Sequence, residues 1–179
     1  MKSLKELFRI GRGPSSSHTM APARAAEIFK VRYSNAASYE AALYGSLAAT
    51  GKGHFTDVAI IQALAPQPVK IIWKPEIIMD YHPNALKLTA FDSGKCELGS
   101  SVFYSTGGGA LVEENAPDTT PDYYPFKSMQ EIMDYCRQEG IPLWEVVKRF
   151  DDSDIMEYLE EVLDCMDQIF RYELRINNS

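Results

Sequence analysis

Ala85-Leu86-Lys87-Leu88-Thr89-Ala90-Phe91 and Cys96-Glu97-Leu98-Gly99-Ser100-Ser101-Val102-Phe103-Tyr104 flank the tetrapeptide Asp92-Ser93-Gly94-Lys95. Leu86, Leu88 and Ala90 alternate with Lys87 and Thr89, the period-2 pattern of a strand with one buried face. The tetrapeptide is built of turn formers and offers Gly94 for a positive φ, so the two runs predict a β-hairpin. This antiparallel pair anchors a sheet, and its neighbours in sequence supply the other layers.

On the N-terminal side, residues 69–73 read as a short apolar strand. Residues 55–64 carry Val58, Ile61 and Leu64 at helical spacing, and Pro66 stops that helix. Residues 38–49 read as a strand, weakened by its alanines, and Gly51-Lys52-Gly53 as a loop. Ala25, Ala26, Ile28, Phe29 and Val31 predict a helix to about Tyr33, whose small residues permit close approach to a sheet. Ser3-Leu4-Lys5-Glu6 fits a capping box for a first helix that Gly11 and Gly13 end. On the C-terminal side, residues 110–112 begin another strand, and residues 116–125, with Pro117, Pro121 and Pro125, form a linker. Ser128-Met129-Gln130-Glu131 is a second capping box, whose helix Gly140 ends, and Pro142 starts another through Phe150. A last helix carries Ile155, Leu159, Val162, Leu163, Met166, Ile169 and Phe170 on one face. The expected class is α+β: a mixed, largely antiparallel sheet with helices packed on it, followed by a C-terminal helical connector.

Composition adds bounds. The 179 residues suffice for one domain with a real core and an appended helical piece, and 45% hydrophobic with 24% charged residues is ordinary for a globular chain. Residues 1–125 hold 12 basic and 12 acidic side chains, residues 126–179 hold 6 and 13, so the net charge of −7 lies in the second segment. That shift suggests domains at 1–125 and 126–179, and the acidic end argues against nucleic-acid binding. No run approaches the roughly 18 apolar residues of a membrane span. Residues 1–10 lack the apolar core of a signal peptide, so the expected location is the cytoplasm. Cys96, Cys136 and Cys165 lie far apart, with neither a CxxC pair nor the spacing of an iron–sulfur ligand set.

Chemistry concentrates in Gly13-Pro14-Ser15-Ser16-Ser17-His18-Thr19, just before an apolar helix. Hydroxyls, an imidazole and the first free N–H groups of a helix suit a small anion such as a carboxylate or phosphate. His18 there either orients a carboxylate or shuttles a proton, or simply fastens the loop. His54 follows Gly51-Lys52-Gly53, and Asp57 three residues on can bond an imidazole nitrogen or the helix start. The block lacks the spacing of a phosphate-binding P-loop. Gly107, Gly108 and Gly109 leave a strand and allow close backbone approach to a ligand or another chain, or form a bulge. His82 reads as a surface or structural histidine. Neither the serine run nor Tyr44-Gly45-Ser46-Leu47 contains a GxSxG nucleophile elbow, which excludes a serine hydrolase of that type.

Four stretches, in order, resemble the iron–sulfur-dependent L-serine dehydratases (L-serine ammonia-lyases). They are residues 13–19, the block Tyr44-Gly45-Ser46-Leu47-Ala48-Ala49-Thr50-Gly51-Lys52-Gly53-His54-Phe55-Thr56-Asp57, the run Phe103-Tyr104-Ser105-Thr106-Gly107-Gly108-Gly109-Ala110, and Tyr124-Pro125-Phe126-Lys127-Ser128-Met129-Gln130-Glu131. The resemblance is to the β domain of that family and implies the following. The enzyme deaminates L-serine to pyruvate and ammonia. A [4Fe–4S] cluster, held by cysteines of a separate catalytic α domain, acts as a Lewis acid on the substrate hydroxyl. His18 and His54 become catalytic candidates; Ser15, Ser16, Ser17, Thr19, Thr56 and Asp57 become substrate-binding candidates, with Gly107, Gly108 and Gly109 supporting. Phe55 departs from the small or polar residue usual at its position. Residues 126–179, helical and acidic, resemble the connector of the single-chain form rather than a regulatory ACT-type domain. The expected partners are the α domain, L-serine and a second copy of the chain. The chain alone is expected to be inactive; the alternative is a stand-alone module that senses serine or another small anion.

The cysteine spacing predicts that purified protein is colourless and free of stoichiometric iron and sulfide. An iron content near four per chain with a visible absorption band, as a [4Fe–4S] centre gives, would overturn this.

Overall fold

The structure, a computed structural model, describes residues 1–117 and 120–176, with side chains described as far as 172. Residues 118–119 of the expected linker and 177–179 of the expected connector lie outside the described residues. The chain forms two compact units, Gly11–Asp118 and Met1–Ile10 together with Thr119–Ser179.

The first unit is a five-stranded sheet in the order β2-β1-β3-β4-β5. Its strands are β1 (Ser38–Tyr44), β2 (Val69–Lys74), β3 (Asn84–Phe91), β4 (Glu97–Gly107) and β5 (Ala110–Glu113). The hairpin is present as β3 and β4, with Ala85 opposite Tyr104 and an irregularity between Ala90 and Phe91. Lys95 rather than Gly94 takes the positive φ of the turn, at 65°. The Asp92 carboxylate makes that tolerable by accepting the Cys96 N–H at 2.8 Å, which closes the turn from within. β1 pairs antiparallel with β3 and parallel with β2, Tyr39 lying opposite Val69. A parallel pair needs a crossover, and α2 (Gly45–Ala49) with α3 (Thr56–Leu64) supplies it. The sheet is therefore mixed and largely antiparallel, as the sequence predicts.

Alternation along the strands divides the sheet into two faces. Tyr39, Ala41 and Leu43 of β1, Leu86, Leu88 and Ala90 of β3 and Phe103 of β4 are buried on the face that carries the helices. Ala25, Ala26 and Phe29 of α1 (Ala21–Arg32) and Ile60 and Leu64 of α3 pack onto them. Each large side chain fully buried here contributes about 1.5–3 kcal/mol. The opposite face carries a smaller cluster of Ala42, Tyr44, Ala85 and Tyr104, partly roofed by Met79.

Two expectations are corrected. The strand expected over 38–49 ends at Tyr44, because Gly45 turns the backbone to φ 49° and Leu47-Ala48-Ala49 continue as a helical turn. Alanine favours helix once the strand ladder is broken. The first expected helix is only a 3-10 turn, Leu4–Glu6. Ser3 caps it, accepting the Lys5 N–H at 3.1 Å, while Glu6 pairs with the Arg9 side chain instead of closing the box. So short a segment cannot offset the cost of helix nucleation.

The second unit holds α4 (Met129–Glu139), α5 (Leu143–Phe150) and α6 (Ile155–Ile176). Ser128 caps α4, accepting the Glu131 N–H at 3.3 Å, and Gly140 ends it at φ 65°. Tyr124, Ile132 and Val146 form the centre, ringed by Phe126, Tyr135 and Phe150. In α6 the apolar face is covered only at its start. Ile155 is 1% exposed, whereas Leu163, Met166, Ile169 and Phe170 are each between 60% and 65% exposed.

Asp151, just after α5, ties the N-terminal residues to this unit. Its carboxylate accepts the Leu4 N–H at 2.9 Å and the Tyr124 hydroxyl. Burial works to raise the Asp151 pKa, but the donors Leu4, Ser3, Tyr124 and Asp152 outweigh it and hold the group below the usual carboxylate range. The carboxylate's stabilisation is thus present above that range and is lost as pH falls through the depressed value. Asp151→Ala should destabilise this unit by about 1–3 kcal/mol, since it leaves several donors unpaired. Trp144 fluorescence in a Trp73→Phe background reads the transition; an unshifted midpoint would remove Asp151 from this role.

Candidate active site

Two loop–helix junctions of the unit Gly11–Asp118 meet face to face. In the first, Ser15 is extended (φ −133°, ψ 132°) and the chain then enters a wide π-type turn, Ser16–Met20, that runs straight into α1. The Ser15 hydroxyl accepts the His18 N–H at 3.1 Å, and the Ser15 carbonyl accepts the N–H groups of Thr19 and Met20 at 3.0 and 3.1 Å. Ser15 is thus the cap of the turn. Ser16 is exposed, and the N–H groups of Ser16 and Ser17, first in the turn, have no intrahelical acceptor.

His18 is half-buried and engaged at both ring nitrogens. Ser17 Oγ lies 3.0 Å from Nδ1, and Ser46 Oγ lies 3.4 Å from Nε2. The His18 and His54 ring centroids stand 5.0 Å apart, tilted by 47°. Burial, and then the neighbouring His54, pushes the His18 pKa below the ordinary histidine value, against a smaller upward pull from the Ser46 backbone. The neutral imidazole is favoured, which is the form that can accept a proton.

The second junction delivers His54. The Gly51 carbonyl accepts the N–H groups of His54 and Thr56 at 3.1 and 2.9 Å, and Phe55 adopts a left-handed conformation (φ 55°) before α3 begins. Thr19 Oγ1 donates to the His54 carbonyl at 2.8 Å, and Thr56 Oγ1 donates to the His18 carbonyl at 2.5 Å. Thr19 is 3% exposed and Thr56 0%. Of the two partners open to Asp57, the helix start is the one engaged: its carboxylate accepts the Val58 N–H at 2.9 Å.

The structure therefore brings together Ser15, Ser17, His18, Thr19, His54 and Thr56. Gly107, Gly108 and Gly109, all at positive φ, form the turn from β4 to β5, and β4 borders the Ser16–Met20 turn. Ser105, just before that turn, is fully buried with a hydroxyl that has no hydrogen-bond partner among the described residues. His82 accepts the Asn84 N–H at 3.1 Å, a structural role. Ser46 is the contact that residue-by-residue reading missed. No local pattern marks it: alanine and leucine suit strand and helix alike, and only the meeting with His18 engages its hydroxyl.

Among the described residues no three His, Cys, Asp or Glu side chains converge as a metal site. Cys96 is exposed beside the hairpin turn, and Cys136 and Cys165 lie in α4 and α6. Nor is any described helix long and apolar enough to cross a membrane.

Comparison with known proteins gives a consistent family. A family model described as serine dehydratase beta chain matches residues 3–72 and 64–116. The chain is 34% identical to the L-serine dehydratase TdcG of Escherichia coli (strain K12), over 80% of this chain and 41% of that protein. It is 30% identical to the L-serine dehydratase of Streptomyces coelicolor, over 89% and 47%. It is 29% identical to the L-serine dehydratase of Helicobacter pylori, over 92% and 48%. The chain spans less than half the length of these relatives.

In a pH titration followed by NMR, the His18 ring should titrate below the ordinary value of 6.5. His54→Gln should raise its midpoint only part of the way back, because burial is the larger cause. With the folded pKa depressed, the unfolded chain binds more protons. Stability contributed by this group is full above about pH 6.5 and declines as pH falls from there toward the folded value. A His18 midpoint at or above 6.5 in the unaltered chain would contradict this environment.

Proposed function

The chain belongs to the serine dehydratase beta chain family, and on that footing we propose that it is the β part of an iron–sulfur-dependent L-serine dehydratase. Together with a catalytic α part, that enzyme deaminates L-serine to pyruvate and ammonia in the cytoplasm. The observation that carries the reading is the His18–His54 pair, two imidazoles 5.0 Å apart at the mouths of two helices. A neutral His18 suits proton transfer near neutral pH. The unpaired N–H groups at the start of the Ser16–Met20 turn suit the substrate carboxylate, since a helix start favours negative charge. Ser17 and Ser46 hold the His18 ring by both nitrogens, which limits its rotation and keeps one edge in a fixed direction.

The [4Fe–4S] cluster that the family reading brings with it finds no ligand set among the described residues. Cys96 belongs to one compact unit and Cys136 and Cys165 to the other, with no converging carboxylates or imidazoles beside them among the described residues. In this reading the α part holds the cluster, and this chain contributes carboxylate recognition and proton handling. The exposed apolar face of α6, bordered by Glu160, Glu161, Asp164 and Asp167, is where the α part or a second copy would pack.

The test is pyruvate release from L-serine by the enzyme containing both parts. His18→Ala should lower kcat roughly a hundredfold or more, the usual worth of a general acid–base group, with iron content unchanged. Unaltered kinetics would return His18 to a loop-fastening role. If the chain binds L-serine by itself and His18→Ala affects only that binding, it acts instead as a sensing module.

A further inference from the structure

Resting on the reading of His18 and His54 as the proton-handling pair, we propose that Thr19 and Thr56 are positioning residues. Their hydroxyls, crossed between the two loops, set the separation and tilt of the imidazoles and do not touch substrate. Each threonine grips the backbone of the histidine on the other loop. Thr19 Oγ1 donates to the His54 carbonyl at 2.8 Å, and Thr56 Oγ1 donates to the His18 carbonyl at 2.5 Å. A hydroxyl carries one proton, and both protons are committed to carbonyl oxygens. Thr19 Oγ1 also receives the Ser15 N–H at 3.3 Å, which spends a lone pair. With 3% and 0% exposure, neither side chain offers a face to a ligand arriving from solvent.

The latch is stiff for identifiable reasons. A β-branched side chain has restricted χ1 freedom, so the hydroxyl direction is preset. A Cβ added at Gly51 would stand 3.2 Å from Thr56 Oγ1, so that hydroxyl is seated close against the Gly51 backbone. Fixing a carbonyl fixes its peptide plane and hence the adjacent Cα. His18 is thereby held at its backbone by Thr56 and at its ring by Ser17 and Ser46. His54 is held at its backbone by Thr19 and Gly51.

The experiment compares Thr56→Val, which keeps shape and loses the hydroxyl, with Thr56→Ser, which keeps the hydroxyl. In the chain itself, NMR monitors the cross-relaxation peak between His18 and His54 ring protons, within reach at a 5.0 Å centroid separation. In the enzyme containing the α part, kcat and KM are measured for L-serine. Thr56→Val should weaken or abolish the peak and lower kcat about ten- to a hundredfold, as a misplaced reacting group does, with KM changed less. Thr56→Ser should keep the peak and recover most of kcat. Thr19→Val tests the other arm and serves if Thr56→Val does not fold. A valine variant with an unaltered peak overturns the latch. A raised KM with unchanged kcat also overturns the proposal, by assigning the hydroxyls to substrate binding. A lost peak with both constants unchanged overturns it through the proton-handling reading, leaving the hydrogen-bond geometry intact.

Discussion

The chain leaves β1 at a point where no side chain fits, and much of the sheet unit depends on that exit. A Cβ at Gly45 would stand 2.5 Å from the Pro83 carbonyl oxygen, and the backbone there has φ 49°. The Gly45 N–H bonds the Ile77 carbonyl at 2.8 Å, so the close approach is also a fastening. A second glycine closes the same crossover: a Cβ at Gly51 would meet the Leu47 carbonyl at 2.3 Å and the Trp73 ring at 2.8 Å. Between these two points α2 carries Ser46 to the His18 ring and sends the chain on toward the parallel strand β2. Sheet topology and site geometry share one steric condition, and a methyl group at either glycine would disturb both.

The site answers a common difficulty of loops, which carry chemistry but move. Backbone carbonyls and N–H groups of both junctions are tied down by serine, threonine and glycine rather than by charged pairs. Neutral hydrogen bonds of this kind are less sensitive to salt and pH than ion pairs are. That leaves the imidazole charge free to respond to a ligand. The helical unit is built differently. Its links to the N-terminal residues combine backbone bonds at Met1 with the carboxylates of Asp151 and Asp152, which face backbone, tyrosine and lysine donors.

Much of this was legible in the sequence, for physical reasons that differ by element. The hairpin could be read because alternation and turn residues are local signals, as could the helix that Ser128 caps and the one that Pro142 starts. The end of β1 could not, since alanine and leucine suit both strand and helix and only the packing around Gly45 decides. Nor could the 3-10 turn at Leu4–Glu6, whose capping pattern is right but whose length is not. Residue type and glycine context mark the two histidine loops as candidates. That residues 15–19 and 54–57 meet is expected from the sequence, since each segment couples a glycine-rich turn to a helix start; the 5.0 Å separation and the crossed threonines depend on contacts 35 or more residues apart. The Ser46 hydroxyl has no local signature, because it matters only through that same long-range meeting.

The N-terminal residues have a consequence for the order of events during synthesis. The Met1 carbonyl accepts the Tyr123 N–H at 2.9 Å, and Leu4 waits for Asp151, 147 residues later in the chain. Residues 1–10 are therefore made before the sheet unit and their partners after it, so they pair late. The sheet unit can condense first, while residues 1–10 await partners that follow it in the chain. Their sequence suits that delay: Lys2, Lys5, Glu6 and Arg9 interrupt every apolar run, so the waiting segment has little tendency to pair with another nascent chain.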